Sequence, residues 1–319
     1  MENEVTLREI QHVKPRTKET ILKVQTLSSI RRRENWLGYL FLLPCILLFG
    51  VFLFYPTLKS IYLSFQTTDP RGEVVDFAGL SNYAAIFNSS AFLTTLKVTV
   101  LFTLYTVPTG IVISLMLAVL TNVQRKGMKS FQFIYSLPIV ISAGTGAVIW
   151  SLLFHPSTGM LNYFLSLLGL DPIFWLSDPK WALISISIMT IWMNLGFGYI
   201  VLLGGLKGIS QDIYDSMKID GPTPLRSVIS VLIPLLSPTL FFLLIVSVIN
   251  TFQTFGQIHI MTKGGPMNST NVMVYQIYQE AFVNYHFGTG SAQALVLFSI
   301  ILLLTLVQFF WLEKKVHYQ

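Results

Sequence analysis

An all-α polytopic membrane fold is predicted by three observations: the scarcity of charge, the gathering of apolar residues into long blocks, and the basic residues at the block ends. The chain has 319 residues, of which 53% are hydrophobic and only 11% charged, and its mean hydropathy is +0.63. A soluble domain carries about 25% charged residues. Length alone would allow two soluble domains, but charge this sparse cannot coat two water-facing surfaces. The apolar residues also run in blocks rather than at the 3.6-residue period of a surface helix. A net charge of +6 would suit nucleic acid, yet Lys and Arg stand at the ends of apolar blocks, where membrane orientation requires them. The expected partner is therefore membrane lipid, with no nucleic acid.

A spanning helix needs about 20 apolar residues. Six stretches free of Asp, Glu, Lys and Arg centre on Trp36 to Tyr55, Val98 to Leu120, Phe131 to Phe154, Trp181 to Leu206, Pro238 to Ile258 and Ser291 to Trp311. Hydrocarbon obliges each segment to close its own backbone hydrogen bonds, and the alternation of barrel strands is missing, so six transmembrane helices are expected. Leu161 to Leu176 is also apolar but is interrupted by Gly169, Asp171 and Pro172; it reads as an outer loop helix lying on the interface. Cys45, the single cysteine, falls inside the first block and reads as a packing residue.

Orientation follows from the loop charges. With the N-terminus inside, residues 1–35, 121–130, 207–236 and 313–319 hold 16 of the 21 Lys and Arg residues, leaving Lys59, Arg71, Lys97, Lys180 and Lys263 outside. Both termini are expected in the cytoplasm. Residues 1–35 read as a polar cytoplasmic tail that sets topology, because the block after them is too long for a signal-peptide core and no small-residue cleavage site follows. Residues 36–319 form the membrane domain, with a cytoplasmic loop at 207–236 and an outer loop at 260–290.

Chemistry is conspicuous by omission. There is no phosphate-cradling Gly-x-x-x-x-Gly-Lys-Ser/Thr, Cys-x-x-Cys, His-Glu-x-x-His or Gly-x-Ser-x-Gly, and the five histidines are scattered. No catalytic, cofactor-binding or metal-ligating residue is expected, and hence no enzyme. Gly196-Phe197-Gly198 and Gly288-Thr289-Gly290 lie in or beside apolar blocks and read as close helix-packing points. The spans also lack a mid-membrane Asp, Glu, Lys or Arg of the kind ion-coupled carriers use, which weighs against a stand-alone secondary carrier. What they hold is neutral: Ser142 and Thr145 in the third, Trp192, Asn194 and Tyr199 in the fourth, Asn250, Thr251, Gln253 and Thr254 in the fifth. Trp192, Asn194, Tyr199, Asn250, Gln253 and Thr254 are candidates for a path suited to a neutral, hydroxyl-rich solute. Bonding between helices explains the same residues equally well.

The loop from Ile209 to Pro234 is the most informative stretch. Ser210 can cap a helix with Asp212 in its first turn, and Ile213, Tyr214 and Met217 give that helix an apolar face. Gly221 permits the left-handed stop, and Thr223 with Pro224 starts a second helix. A structural elbow needs no more, but an elbow with Tyr214 and Met217 exposed would also plug a partner's cleft.

Asp215-Ser216-Met217-x-x-Asp220-Gly221 followed by Ile233-Pro234 resembles the Glu-Ala-Ala…Asp-Gly…Leu-Pro coupling motif of permease subunits in binding-protein-dependent ABC importers. The chain departs from it at Asp215, Ser216, Met217 and Pro222. Thr262-Lys-Gly264-Gly265-Pro266-x-Asn268-Ser-Thr270 with Tyr275-x-Ile277-Tyr278-x-x-Ala281-Phe282 is similar to the Gly-Gly-Pro loop of the carbohydrate-type permeases. Leu43-Pro44, Phe54-Tyr55-Pro56, Leu137-Pro138 and the closing Val316-His317-Tyr318-Gln319 add to the likeness, which covers residues 36 to 319. Asp69-Pro70, Gly79-Leu80-x-Asn82-Tyr83 and Lys315-Val316-x-Tyr318 look most like the glycerol-3-phosphate branch.

The resemblance implies a type I ABC importer permease in the bacterial inner membrane. It would work with a second permease subunit, two cytoplasmic ATPase subunits and an extracytoplasmic solute-binding protein. ATP and Mg would bind the ATPase partners, with no cofactor on this chain. Tyr214, Asp215, Ser216, Met217, Lys218, Asp220 and Gly221 would couple to the ATPase, and Gly264, Gly265 and Pro266 would meet the binding protein. Glycerol 3-phosphate and a neutral oligosaccharide stay open as solutes.

Overall fold

The computed structural model describes residues 27–123, 125–220 and 224–313. Most of the tail, Gly221 and the closing 314–319 segment therefore lie outside the described residues, as do the side chains of Lys218 and Asp220. The chain divides into two compact units, Met1–Thr57 and Leu58–Gln319.

In the first unit α1 (Leu27–Phe49) passes through a π-helical turn at Gly50–Phe54 into α2 (Tyr55–Ser64), whose residues from Leu58 on belong to the second unit. The most apolar 18-residue window within Asn35–Ser64 buries none of its residues. A helix apolar on all sides is at home in hydrocarbon or against another membrane chain. Cys45 is exposed on α1.

The second unit continues with a two-stranded antiparallel hairpin, β1 (Gln66–Thr68) and β2 (Val74–Phe77), followed by α3 (Ser81–Asn88). Then comes α4 (Ser90–Thr121), whose first turn is capped by the Ser89 hydroxyl accepting from Phe92 N. Next are α5 (Met128–Ser136), a 3₁₀ turn at Leu137–Val140, α6 (Ala143–Leu153) and α7 (Met160–Leu167). The long α8 (Pro179–Gly208) starts with Pro179, whose missing N–H costs nothing there, and Asp178 as its cap. After α9 (Gln211–Asp220) and α10 (Pro224–Ser227), a π turn at Val228–Leu232 leads to α11 (Ile233–Leu235) and α12 (Ser237–Phe252). The chain closes with α13 (Gly256–Met261), α14 (Met273–Tyr278), a π turn at Gln279–Val283 and α15 (Phe287–Leu312).

Among the described residues five helical segments are long and apolar enough to cross a membrane, six when the pair Met128–Val140 and Ala143–Leu153 counts as one crossing. That pair is bent by 104°, where hydropathy alone predicted a continuous third span. Pro138 sits in the 3₁₀ turn, the backbone turns extended at Ile141, and Ser142 restarts the helix by accepting from Thr145 N at 3.2 Å. Ser142 and Thr145 also share a hydroxyl–hydroxyl bond of 2.9 Å. These two polar residues thus make a helix cap, which explains their presence without a solute.

The core of this unit is built on α4, α8 and α12, with α4 and α8 the most extensively packed helix pair. Close approach is enforced at both glycine pairs, as the sequence predicts. A Cβ on Gly196 would stand 2.9 Å from the Ser136 carbonyl oxygen, and one on Gly198 2.7 Å from the Ser114 hydroxyl. On α15 a Cβ on Gly288 would overlap the Gln66 carbonyl, and one on Gly290 would lie 2.8 Å from the Ala281 methyl.

The loop helix α7 is tied down by buried Asn162. Its amide donates to Pro156 O (2.8 Å) and Ile173 O (2.9 Å), and its carbonyl oxygen accepts from Ile173 N (3.1 Å) and Trp175 Nε1 (2.9 Å). Tyr163, Phe164, Leu167 and Leu168 remain exposed.

Candidate functional site

Facing sides of α4, α8 and α12 enclose a small cleft, with polar lining from Thr106 and Ser114 of α4, Asn194 of α8, and Ser247, Asn250 and Thr251 of α12. Thr106 and Thr251 spend their hydroxyl protons on their own helices, at Phe102 O and Ser247 O, both 2.8 Å away. Among the described residues, the side-chain amides of Asn194 and Asn250 form no hydrogen bond to the protein. With the Ser114 and Ser247 hydroxyls they are the groups left to address something inside the cleft. Its volume is about 30 Å³, room for about one water.

Two of the six candidate path residues therefore meet at one place. The other four lie elsewhere. Trp192 packs its ring edge-on to Trp150 of α6 at 5.8 Å. Tyr199 is 1% exposed, bonds Thr121 Oγ1 through its hydroxyl at 2.7 Å, and stands edge-on to Tyr135. Gln253 is exposed just past the end of α12, and buried Thr254 donates to Asn250 O at 3.2 Å. Sequence reasoning missed the α4 contribution. Its signal was present: Thr106, Gly110 and Ser114 recur every four residues, which puts small and hydroxyl groups on one helix face.

At the end of the bundle where α4 and α8 finish, α9 lies with Ile213, Tyr214 and Met217 half-buried against a core of Ala118, Leu202, Leu206 and Leu236. Tyr214 and Met217 are thus half-buried on the bundle rather than fully exposed, because an apolar face beside an apolar bundle end packs there first. The Tyr214 hydroxyl donates to Leu206 O (2.8 Å) and accepts from Asn122 Nδ2 (3.0 Å). Burial pushes its phenol pKa up, and the Asn122 hydrogen bond opposes that shift. The outward face carries Asp212, Asp215, Ser216 and Ile219, the last 86% exposed. Asp215 accepts from Gln211 Nε2 at 3.2 Å and Ser216 donates to Asp212 O at 2.9 Å.

The opposite end holds the Gly-Gly-Pro loop. Lys263, Gly264, Met267 and Asn268 all take positive φ. Thr270 clasps the turn, its hydroxyl on Gly265 O at 2.6 Å and 2.8 Å from Thr262 Oγ1. Gly264 is buried beneath Tyr275, while the exposed tip is Met267, 89% exposed, which the motif reading did not single out. Burial raises the Tyr275 pKa, and the neighbouring Tyr278 adds to it. Phe255, His259, Tyr275 and Tyr278 form one ring cluster with centroids 5.0 to 5.9 Å apart. Among the described residues no three His, Cys, Asp or Glu side chains gather as a metal would require.

Comparison with known proteins agrees with this geometry. A family model described as binding-protein-dependent transport system inner membrane component matches residues 77–318. The sn-glycerol-3-phosphate transport system permease protein UgpA of Yersinia enterocolitica is 32% identical over 288 residues, 89% of this chain and 97% of its own. The protein of the same name from Agrobacterium fabrum is 33% identical over 285 residues, 88% and 96%. Among solved structures, a chain of a bacterial alginate ABC transporter in complex with an alginate pentasaccharide-bound periplasmic protein matches with a TM-score of 0.79. It is 25% identical, and the match covers 91% of this chain and 99% of that one. With multiple spanning helices, a neutral cleft between them and a family match over most of its length, the chain belongs to the inner-membrane permease components of binding-protein-dependent transport systems.

Proposed function

We propose that the chain carries glycerol 3-phosphate or a closely similar small phosphorylated polyol across the membrane. It would be one of two permease subunits driven by two separate ATPase subunits and fed by an extracytoplasmic binding protein. The observation that carries this reading is the pair of unengaged amides, Asn194 and Asn250, meeting across one cleft beside the hydroxyls of Thr106 and Ser114. An amide offers both donor and acceptor, which suits phosphoryl and hydroxyl oxygens alike. The names of the relatives support the glycerol-phosphate branch. The absence of a cation among the cleft residues favours a neutral oligosaccharide as the second reading.

ATP and its Mg would sit on the partner ATPases, and both termini of this chain would lie on their side of the membrane. The outward face of α9, with Asp212, Asp215, Ser216 and Ile219, would dock there, and Lys218, Asp220 and Gly221 would continue that contact. Gly264, Gly265, Pro266 and the Met267 tip would meet the binding protein. The test is uptake by liposomes holding the whole assembly with ATP inside, offered labelled glycerol 3-phosphate or neutral oligosaccharides on the binding protein. ATP-dependent uptake of the first, lowered about tenfold by Asn194→Ala as the loss of one or two hydrogen bonds predicts, supports the proposal. Uptake confined to oligosaccharides selects the second reading, and uptake that runs on an ion gradient without ATP points to a secondary carrier.

A further inference from the structure

The Tyr214 hydroxyl bonds in two directions, each to the end of a different spanning helix. Leu206 O belongs to the last turn of α8, where helix geometry leaves carbonyls short of backbone partners, and Tyr214 donates to it at 2.8 Å. Asn122 is the residue that ends α4, its own N–H closing on Val119 O, and its amide donates to Tyr214 Oη at 3.0 Å. These two ends are already locked together. Thr121 of α4 shares a 2.7 Å bond with Tyr199 of α8, and Gln132 of α5 donates to Thr121 O at 2.9 Å. We infer that Tyr214 is the positioning residue that makes α9 a rigid extension of α4 and α8, so that displacement of α9 moves both spans as one body.

The inference rests on the coupling role proposed for α9 and adds the joint through which it acts. The apolar contacts of Ile213 and Met217 with the bundle end hold α9 close but are non-directional, so alone they let it slide or roll. Hydrogen bonds at 2.8 and 3.0 Å fix its register and rotation. The connection from α8 to α9 is only Ile209 and Ser210, so whatever sets the angle there sets where the outward face of α9 points. The joint also reaches α4 and α8 together, the two helices that bring Thr106, Ser114 and Asn194 to the cleft.

Tyr214→Phe keeps the ring and its apolar packing while removing the one oxygen. In liposomes holding the complete transporter, uptake per ATP hydrolysed should fall at least about fivefold, the low end of inter-site coupling factors. Asn122→Ala should lower the same ratio, and the double variant should fall no further than the worse single one, because both cut one joint. A second readout needs no transport. In the full chain with Cys45→Ser, spin labels at Gln211→Cys on α9 and Leu120→Cys on α4 should give a narrow distance distribution that broadens with Tyr214→Phe. An unchanged uptake-to-hydrolysis ratio with a distribution still narrow overturns the joint. So does a fall of uptake in step with lost assembly while the distribution stays narrow. If the parent protein shows no ATP-dependent uptake, the proposed function fails, and the distance distribution still decides the joint.

Discussion

The two ends of the α4–α8–α12 bundle are secured by different physics. Where α4 and α8 finish, the ties are polar and directional: Tyr214 to Leu206 and Asn122, Thr121 to Tyr199, Gln132 to Thr121. Gly204 and Gly208 there have nothing within 4 Å of a Cβ, and where a glycine is tight, at Gly205, its neighbours are the side chains of Thr239 at 2.8 Å and Leu236 at 2.9 Å rather than backbone. At the end that carries α14, glycines are wedged against backbone and rings, as at Gly264, Gly288 and Gly290. Hydrogen bonds can be exchanged for water at little net cost, whereas a steric wedge yields only if backbone moves. The first end is therefore suited to transmit and release motion, and the second to hold a fixed platform.

The largest effect expected from this contrast is at Gly288. A Cβ there overlaps the Gln66 carbonyl, which is backbone and cannot swing aside. Gly288→Ala should cost about 3 kcal/mol or more, the upper range for overpacking, and should reduce the yield of folded protein in thermal melting. Gly204→Ala, in open space on a helix, should be neutral or slightly stabilising, since Ala is the better helix former. Equal losses at the two positions would break the comparison.

A second, smaller contrast separates strain from contact. Gly264 and Gly127 have nearly the same positive φ, +81 and +86, yet only Gly264 has a ring above it, Tyr275 at 3.0 Å from a Cβ. Both Ala variants pay about 1–2 kcal/mol for the left-handed backbone. Any excess at Gly264 measures the ring contact, and it should vanish in a Tyr275→Ala background.

How far this was readable from sequence follows the same line. Spans, the loop helix at α9 and the glycine pairs were legible because hydropathy, capping chemistry and small-residue spacing are local signals. The 104° break at Pro138 was not, since window hydropathy is blind to the direction of a helix axis. Nor was the inward turn of Tyr214. An amphipathic pattern shows that α9 has an apolar face, but which body covers that face is decided by the distant Ala118, Leu202 and Leu236. The cleft was half legible for a related reason. Asn194 and Tyr199 are polar residues five positions apart on one helix, and only the packing of α4 shows that the first opens on the cleft while the second is spent on Thr121.

Tyr199 offers a finer cut within the polar end. Its hydroxyl bonds Thr121 inside the locked block rather than across to α9. Tyr199→Phe should therefore cost about 1 kcal/mol of stability, the usual net worth of one hydrogen bond, yet leave the Gln211–Leu120 spin-label distribution narrow. A broadened distribution would mean that the block itself is soft and that Tyr214 is not its distinct joint to α9.

The smallest expected effect compares the two ends by alkaline titration. Burial raises the phenols of both Tyr214 and Tyr275 above their ordinary value of 10.0. The folded protein then keeps its protons after the unfolded chain has begun to release them. Their contribution is therefore complete below the ordinary value, and stability declines as pH rises beyond it. The second influence differs in sign. Asn122 donates to Tyr214 and favours its phenolate, while Tyr278 beside Tyr275 repels a second negative charge. Tyr214→Phe and Tyr275→Phe should each flatten the alkaline loss of melting temperature. A loss unchanged by either variant would show that burial does not raise that phenol.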